Sequence, residues 1–275
     1  MSPVDLYIIA AGNGSRLGAS IPKALFPIVD EPCLTNTLRR IGMKFTRVFV
    51  VTNVAMSAQW TAYFRYLQET HPQLAARTTN LPIKSGLGDG HATLEGILAA
   101  QNGHAHTSED IVIAWGDVFF HEVQIIDELL SMAPNGSGLI PAVFEPKPYV
   151  RLTVDETMGC ISAEFSKYGE SCVEGLHDQS VFRFKLSRLK RSLSHLHSAF
   201  WKKDRYICAG GELSLLYSLH HLYNLSSPAY VYETSYSTRC FNTLQEIVSI
   251  QSLIHANSDF KLQIAPNHGD ETQVN

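Results

Sequence analysis

The chain has 275 residues, 45% of them hydrophobic and 17% charged, with a formal net charge of −4. This is an ordinary globular composition, and its acidic balance argues against a dedicated nucleic-acid binder, which is normally basic. No apolar run approaches the roughly 20 residues of a membrane span, so no membrane partner is expected. From the N-terminus, "DLYIIAA" reads as a buried strand reached at once, without a basic n-region or cleavage site, so no signal peptide is expected. "LTNTLRRIGM" follows as a helix with Leu34, Leu38 and Ile41 on one face, then the strand "RVFVVTN" and a helix through Trp60, Phe64 and Leu67. A strand near "NLPIK" precedes "GHATLEGILAAQ", where Leu94, Ile97 and Leu98 recur at helical spacing. "DIVIAWGD" is a continuous apolar run ending in Gly-Asp, with the helix "VQIIDELLSM" behind it. Such β-α-β-α order predicts a parallel sheet covered on both faces, with ligands at the carboxyl ends of its strands.

After residue 138 the pattern changes to strand-like pieces, "GLIPAVFE", "VRLTVD", "CISAEFSK" and "SVFRFKL", which suggest an antiparallel or mixed extension of the sheet. Helices are expected near 186–200, 211–224 and 244–254, with the strand "AYVYETSY" before the last. Leu186, Leu189, Leu193 and Leu196 make the basic run from 185 an amphipathic helix with a solvated basic side rather than a nucleic-acid patch. The five cysteines (33, 160, 172, 208, 240) are odd in number and form no C-x-x-C pair, which favours reduced thiols in a cytoplasmic protein. His195/His197, His220/His221 and His104/His106 match no metal-binding spacing and read as surface histidines. Residues 256–275 form a C-terminal tail whose polar end, "APNHGDETQVN", reads as frayed.

The stretch "AAGNGSRLGASIPKALFPI" leaves the first strand with three glycines, Arg16 and Lys23. A Gly-rich turn at a strand exit brings backbone N–H groups close to phosphate oxygens. It is not the Walker pattern, and Gly12, Gly14 and Gly18 are one residue too widely spaced for the dinucleotide fingerprint. "AGNGSRL" followed by "PKALFP" resembles the nucleoside-diphosphate-sugar pyrophosphorylases, the sugar-1-phosphate nucleotidyltransferases. "LGDGHA" (87–92) resembles an element of the uridylyltransferases acting on N-acetylglucosamine 1-phosphate, "IVIAWGD" the family's metal-binding strand, and "CFNTLQEI" (240–247) its late Asn-Thr segment.

The resemblance implies a Rossmann-like, three-layer α/β nucleotidyltransferase fold (glycosyltransferase-A-like) with a mixed, mostly parallel central sheet. It implies one domain over 1–255, with a nucleotide-binding half at 1–137 and an acceptor-binding half at 138–255. The implied reaction is attack of a sugar phosphate oxygen on the α-phosphorus of a nucleoside triphosphate, expelling pyrophosphate. Its partners are thus a nucleoside triphosphate and a phosphorylated sugar or similar small molecule; a homo-oligomer stays open. Charge builds on the phosphate oxygens, so such chemistry needs positioning and electrostatic stabilisation.

The residue types suit that need. Ala11, Gly12, Asn13, Gly14 and Ser15 can cradle the triphosphate; Arg16 and Lys23 serve as catalytic cations; Asp117 and Asn242 offer hard oxygens to Mg²⁺. Each has a bland alternative: a surface turn, solvated charges, a helix cap for Asp117 and a helix start for Asn242.

Lys84, Gly88 and Asp89 are carried over as nucleotide contacts; the family's base-reading glutamine falls at Ile83 or Lys84, and Asp89 replaces a threonine. Asp89 reads equally as a base-edge acceptor, with a pyrimidine favoured, or as the cap of the following helix. Gly159, Glu170, Glu174 and Asp178 are carried over as acceptor contacts in the segment that departs most from the family. Rival readings are a cytidylyltransferase for a non-sugar phosphate, a molybdopterin guanylyltransferase type and a silent regulatory subunit; retention of Arg16, Lys23 and Asp117 argues against the last.

Overall fold

The computed structural model describes residues 3–256 other than 13, 15, 16, 18, 19, 85, 86, 104–106, 135 and 167–172. Its frame is one ten-stranded sheet. In chain order the strands are β1 (Val4–Ile9), β2 (Arg47–Asn53), β3 (Thr78–Ile83), β4 (Asp110–Trp115) and β5 (Gly138–Glu145). They continue as β6 (Val150–Val154), β7 (Cys160–Phe165), β8 (Gly175–Asp178), β9 (Val181–Lys185) and β10 (Ala229–Glu233). The spatial order is β7-β6-β8-β5-β9-β4-β1-β2-β3, with β10 also paired to β5. β1 to β6 and β10 run one way, and β7, β8 and β9 the other. The sheet is therefore mixed and mostly parallel, as the sequence predicts.

β1, β2 and β4 are buried on both faces, which is why they read as largely apolar runs, whereas β3 at the sheet edge exposes Asn80 and Pro82. In β1, Leu6 and Ile8 enter one core cluster while Tyr7 and Ile9 enter the other. The first cluster is closed by α1 (Cys33–Ile41), α2 (Ser57–Thr70) and α5 (Gln124–Ser131), through residues such as Leu38, Trp60 and Ile126. The second is closed by α4 (Asp89–Gly103), α6 (Leu186–Phe200) and α7 (Tyr217–Asn224); the four α6 leucines named above are all buried in it. A short α3 (Pro72–Ala75) continues α2. Buried Asp5 is paired with Arg47, whose Nε donates at 3.1 Å and whose second guanidinium nitrogen donates at 2.8 Å, and it also accepts from Ser108 N–H at 2.8 Å.

A third, smaller cluster seats the last helix, α8 (Leu244–Ala256). Ile247, Ile250 and Ile254 pack there with Ile28, Cys33, Phe119 and Phe241. The two-residue strands Val118–Phe119 and Arg239–Cys240 pair antiparallel beside it, which fixes the late segment against the exit of β4. Among the described residues no helix is long and apolar enough to cross a membrane.

Two expectations about elements need correction. Residues 175–178, "GLHD", form the strand β8, which the polar His and Asp concealed. The helix expected over 211–224 begins only at Tyr217, because Gly210 and Gly211 take φ of 73° and 74° and break helical backbone. Residues 213–215 are instead bonded to the loop before α4.

Candidate active site

The carboxyl ends of β1, β3 and β4 open into one cleft of about 660 Å³. Ala11 and Gly12 line it directly after β1. Gly12 has nothing within 4 Å of where a Cβ would stand, so its backbone faces open space. Gly14 takes φ +63° and its turn packs on Lys23, whose Cβ lies 3.4 Å from that glycine's missing Cβ. Gly116 does the reverse job: a Cβ there would meet Ala10 Cβ at 2.8 Å and Ala24 Cβ at 3.1 Å. Only glycine lets the exits of β1 and β4 and the Lys23 turn approach this closely.

That approach joins three residues distant in sequence. Lys23 heads a single 3₁₀ turn, Asp117 follows β4, and Asn242 precedes α8. The Lys23 ammonium donates to Asp117 Oδ2 and, at 3.0 Å, to Asn242 Oδ1, and lies 5.4 Å from the Phe241 ring centroid. Two hard oxygens thus converge on one positive charge at the cleft wall, with Asp117 and Asn242 both lining it. A carboxylate and an amide oxygen are hard donors of the type Mg²⁺ takes.

Asn242 is held by a capping box, Thr243-x-x-Glu246. Glu246 Oε2 accepts from Asn242 N–H at 2.5 Å and Thr243 N–H at 2.8 Å, while Thr243 Oγ1 accepts from Glu246 N–H at 3.3 Å. Glu246→Ala should therefore lower stability by about 1 kcal/mol, or roughly 2–4 °C in melting temperature. An unchanged thermal unfolding curve would contradict this role.

Lys84, Gly88 and Asp89 line the same cleft. Their loop is clamped to residues 213–215: Leu213 N–H donates to Leu87 O and Gly90 N–H to Leu213 O, both at 2.9 Å. Asp89 is the first residue of α4, and its Oδ1 accepts from Leu215 N–H at 2.6 Å. Neither the base-edge nor the capping reading contains that tie between two segments.

On the far side, Asp178 ends β8, lines the cleft and is buried; its Oδ1 accepts from Ser180 N–H at 2.8 Å. Burial pushes its carboxyl above the usual carboxylate range. His177 and Glu145 pair beside it at 3.0 Å. Gly159 does not reach this wall; its N–H donates to Asp155 Oδ1 at 2.9 Å in a turn. Glu174 stands exposed ahead of β8 and is likewise absent from the described lining. Asn13, Ser15, Arg16 and Glu170 lie outside the described residues.

The sequence reading missed Glu145, His177, Arg239 and Glu246, all in the cleft wall. Only Glu246 had a usable signal, the Thr-x-x-Glu spacing. His91 is buried in the wall, its Nδ1 2.8 Å from the Tyr206 hydroxyl, which His197 Nδ1 approaches at 2.7 Å from the other side. Both rings stack on Trp201, and burial pushes the His91 pKa down. His195 and His220 are exposed as expected, His197 and His221 are half-buried, and His104 and His106 lie outside the described residues.

A model of the MobA-like NTP transferase domain matches residues 6–248. The chain belongs to that family. It is accordingly a nucleotidyltransferase. Among curated relatives of this MobA-like chain, the bifunctional protein GlmU of Pseudomonas savastanoi pv. phaseolicola is 27% identical over 157 residues, covering 56% of the chain and 31% of the relative. GlmU of Dinoroseobacter shibae is 28% identical over 156 residues, covering 55% and 32%. The match thus spans about a third of those relatives' length.

Solved structures share the fold. HddC from Yersinia pseudotuberculosis complexed with GMP-PN has a TM-score of 0.63 at 14% identity, covering 92% of this chain and 100% of that one. A putative glucose-1-phosphate thymidylyltransferase from Bacillus anthracis, in complex with a sucrose, has a TM-score of 0.65 at 14% identity, covering 91% and 94%.

Proposed function

We propose that this nucleotidyltransferase joins a nucleoside triphosphate to a sugar 1-phosphate or similar small phosphate, releasing pyrophosphate, with Mg²⁺ at Asp117 and Asn242. The observation that carries the reading is the convergence of Lys23, Asp117 and Asn242 at the carboxyl ends of β1 and β4. An acceptor phosphate oxygen attacks the α-phosphorus, the α–β anhydride bond breaks, and its electron pair leaves with pyrophosphate. Residues 1–137 take the nucleotide and 138–255 the acceptor. Backbone at Ala11, Gly12 and Gly14, with Asn13 and Ser15, cradles the triphosphate; Lys84, Gly88 and Asp89 flank the nucleoside; Asp178 meets the acceptor.

Lys23 and Arg16 place positive charge where the phosphate oxygens gain negative charge, which stabilises the transition state electrostatically. Mg²⁺ at the two oxygens would neutralise charge on the reacting phosphates. Glu246 and the capping box hold Asn242 in place, and the clamp from 213–215 holds the wall formed by 87–90. The described cysteines are free, with Cys33 and Cys160 buried, which supports a reducing, cytoplasmic setting. The acceptor side, with Glu145–His177 and Asp178, supports a polar acceptor body rich in hydroxyls.

Excess EDTA should abolish pyrophosphate release, and added Mg²⁺ or Mn²⁺ should restore it, because an oxygen-only pair with open positions suits a hard cation. Full activity in excess chelator would remove the metal from this account. A screen of the four nucleoside triphosphates against phosphorylated acceptors, read by pyrophosphate release, tests the reaction and identifies the base.

A further inference from the structure

Both substrates of the proposed reaction are anions, yet most of the charged side chains lining the acceptor side of the cleft are acids. Glu145 and Asp178 face it, and Asp117 and Glu246 stand at its border. His177 is engaged with Glu145, and the Lys23 ammonium with Asp117 and Asn242. A phosphate dianion entering from that side meets like charge unless a further cation receives it.

Arg239 is placed to be that cation. It lines the cleft between Thr238 and Cys240, three residues before Asn242. Its backbone is held in a short strand between two tethered neighbours. Arg239 pairs with Phe119 in the short strand that follows Asp117. Thr238 N–H donates to Gln179 Oε1 at 2.9 Å and its hydroxyl to Gln179 O at 2.8 Å, while Cys240 Sγ donates to Ser180 Oγ at 3.2 Å. The side chain itself is exposed, and among the described residues no hydrogen bond or ion pair engages it. An immobilised backbone carrying an uncommitted guanidinium, on the wall shared by the Asp117–Asn242 pair and Asp178, suits a phosphate ligand. The planar fork of donors matches two phosphate oxygens at once.

We propose that Arg239 binds the phosphate of the acceptor and orients it towards the α-phosphorus. The proposal rests on the nucleotidyl-transfer reading, and two readouts keep their failures apart. First, inorganic phosphate and α-D-glucose 1-phosphate are titrated calorimetrically into wild type and Arg239→Gln, each saturated with Mg²⁺ and tripolyphosphate to occupy the triphosphate side. At least one of the two should bind wild type and bind the variant about 10- to 100-fold more weakly, the scale of a charge-assisted pair. Tripolyphosphate affinity and thermal unfolding should stay unchanged, since the Arg239 side chain makes no hydrogen bond or ion pair among the described residues and its strand pairing is through backbone. Equal binding to both proteins, no binding to wild type, or an equal loss for tripolyphosphate overturns the assignment.

Second, with any acceptor that is turned over, KM for the acceptor should rise about tenfold or more in Arg239→Gln, with KM for the triphosphate within about twofold. Arg239→Lys, which keeps charge without the fork, should fall between. Phosphate binding that depends on Arg239 without any turnover would keep this site and reject the reaction. Turnover with an unchanged acceptor KM would keep the reaction and reject Arg239.

Discussion

Lys23→Ala should lower turnover about 100-fold or more, the scale seen when one preorganised charge donor is removed from a reacting site. The ammonium bridges Asp117 Oδ2 and Asn242 Oδ1, so its loss leaves two oxygens facing each other across the cleft wall. Both are partly exposed and can be hydrated, so the melting temperature should move little. The kinetic loss should appear in kcat as well as kcat/KM, because the charge acts on oxygens that gain charge only during reaction. Steady-state pyrophosphate release beside thermal unfolding separates these effects. Near-normal turnover in folded Lys23→Ala would end the assignment of this turn to phosphate chemistry.

Gly88→Ala should instead damage the fold around the cleft. Gly88 takes φ +96°, and a Cβ there would lie 2.3 Å from Leu213 O and 2.9 Å from Leu213 N. The obstacle is backbone, held in turn by Leu213's bonds to Leu87 and Gly90, so it cannot rotate away. Overpacking and left-handed backbone together should remove about 2–4 kcal/mol, a large share of the roughly 5–15 kcal/mol that holds a domain folded. Gly12→Ala is the informative contrast. Its Cβ would meet nothing within 4 Å, so stability should hold while triphosphate affinity falls, because the methyl group enters the space a phosphate needs. Two glycines of one cleft should thus fail in opposite ways, one by melting temperature and one by binding. Equal stability of Gly88→Ala and wild type would contradict the clamp.

The parallel half of the fold is legible in the sequence for a physical reason. Strands buried on both faces leave continuous apolar runs such as "DIVIAWGD", and Asp117 at its end could be placed from that run alone. Lys23 and Asn242 were recognisable by type and motif, but their meeting spans 219 residues and depends on the short pairing of 239–240 with 118–119. No local pattern encodes that. β8 was hidden because His177 and Asp178 are polar residues at the cleft wall, where strand propensity is a weak guide. Asp89 looked like a cap or a base contact because a carboxylate before a helix commonly does either; its bond to Leu215 N–H joins segments 126 residues apart. Arg239 had no signal at all: one basic residue in a loop reads as solvated until its neighbours are seen to be fixed.

Nucleotidyl transfer by this cleft to a phosphorylated acceptor is tested most directly by incubating the protein with Mg²⁺, each nucleoside triphosphate and a panel of sugar, polyol and amino-alcohol phosphates, and analysing products by mass. At least one combination should yield a nucleoside-diphosphate conjugate and pyrophosphate in equal amounts, both lost in Lys23→Ala. Folded protein that yields no conjugate with any combination, or that releases inorganic phosphate from the γ-position instead, would contradict it.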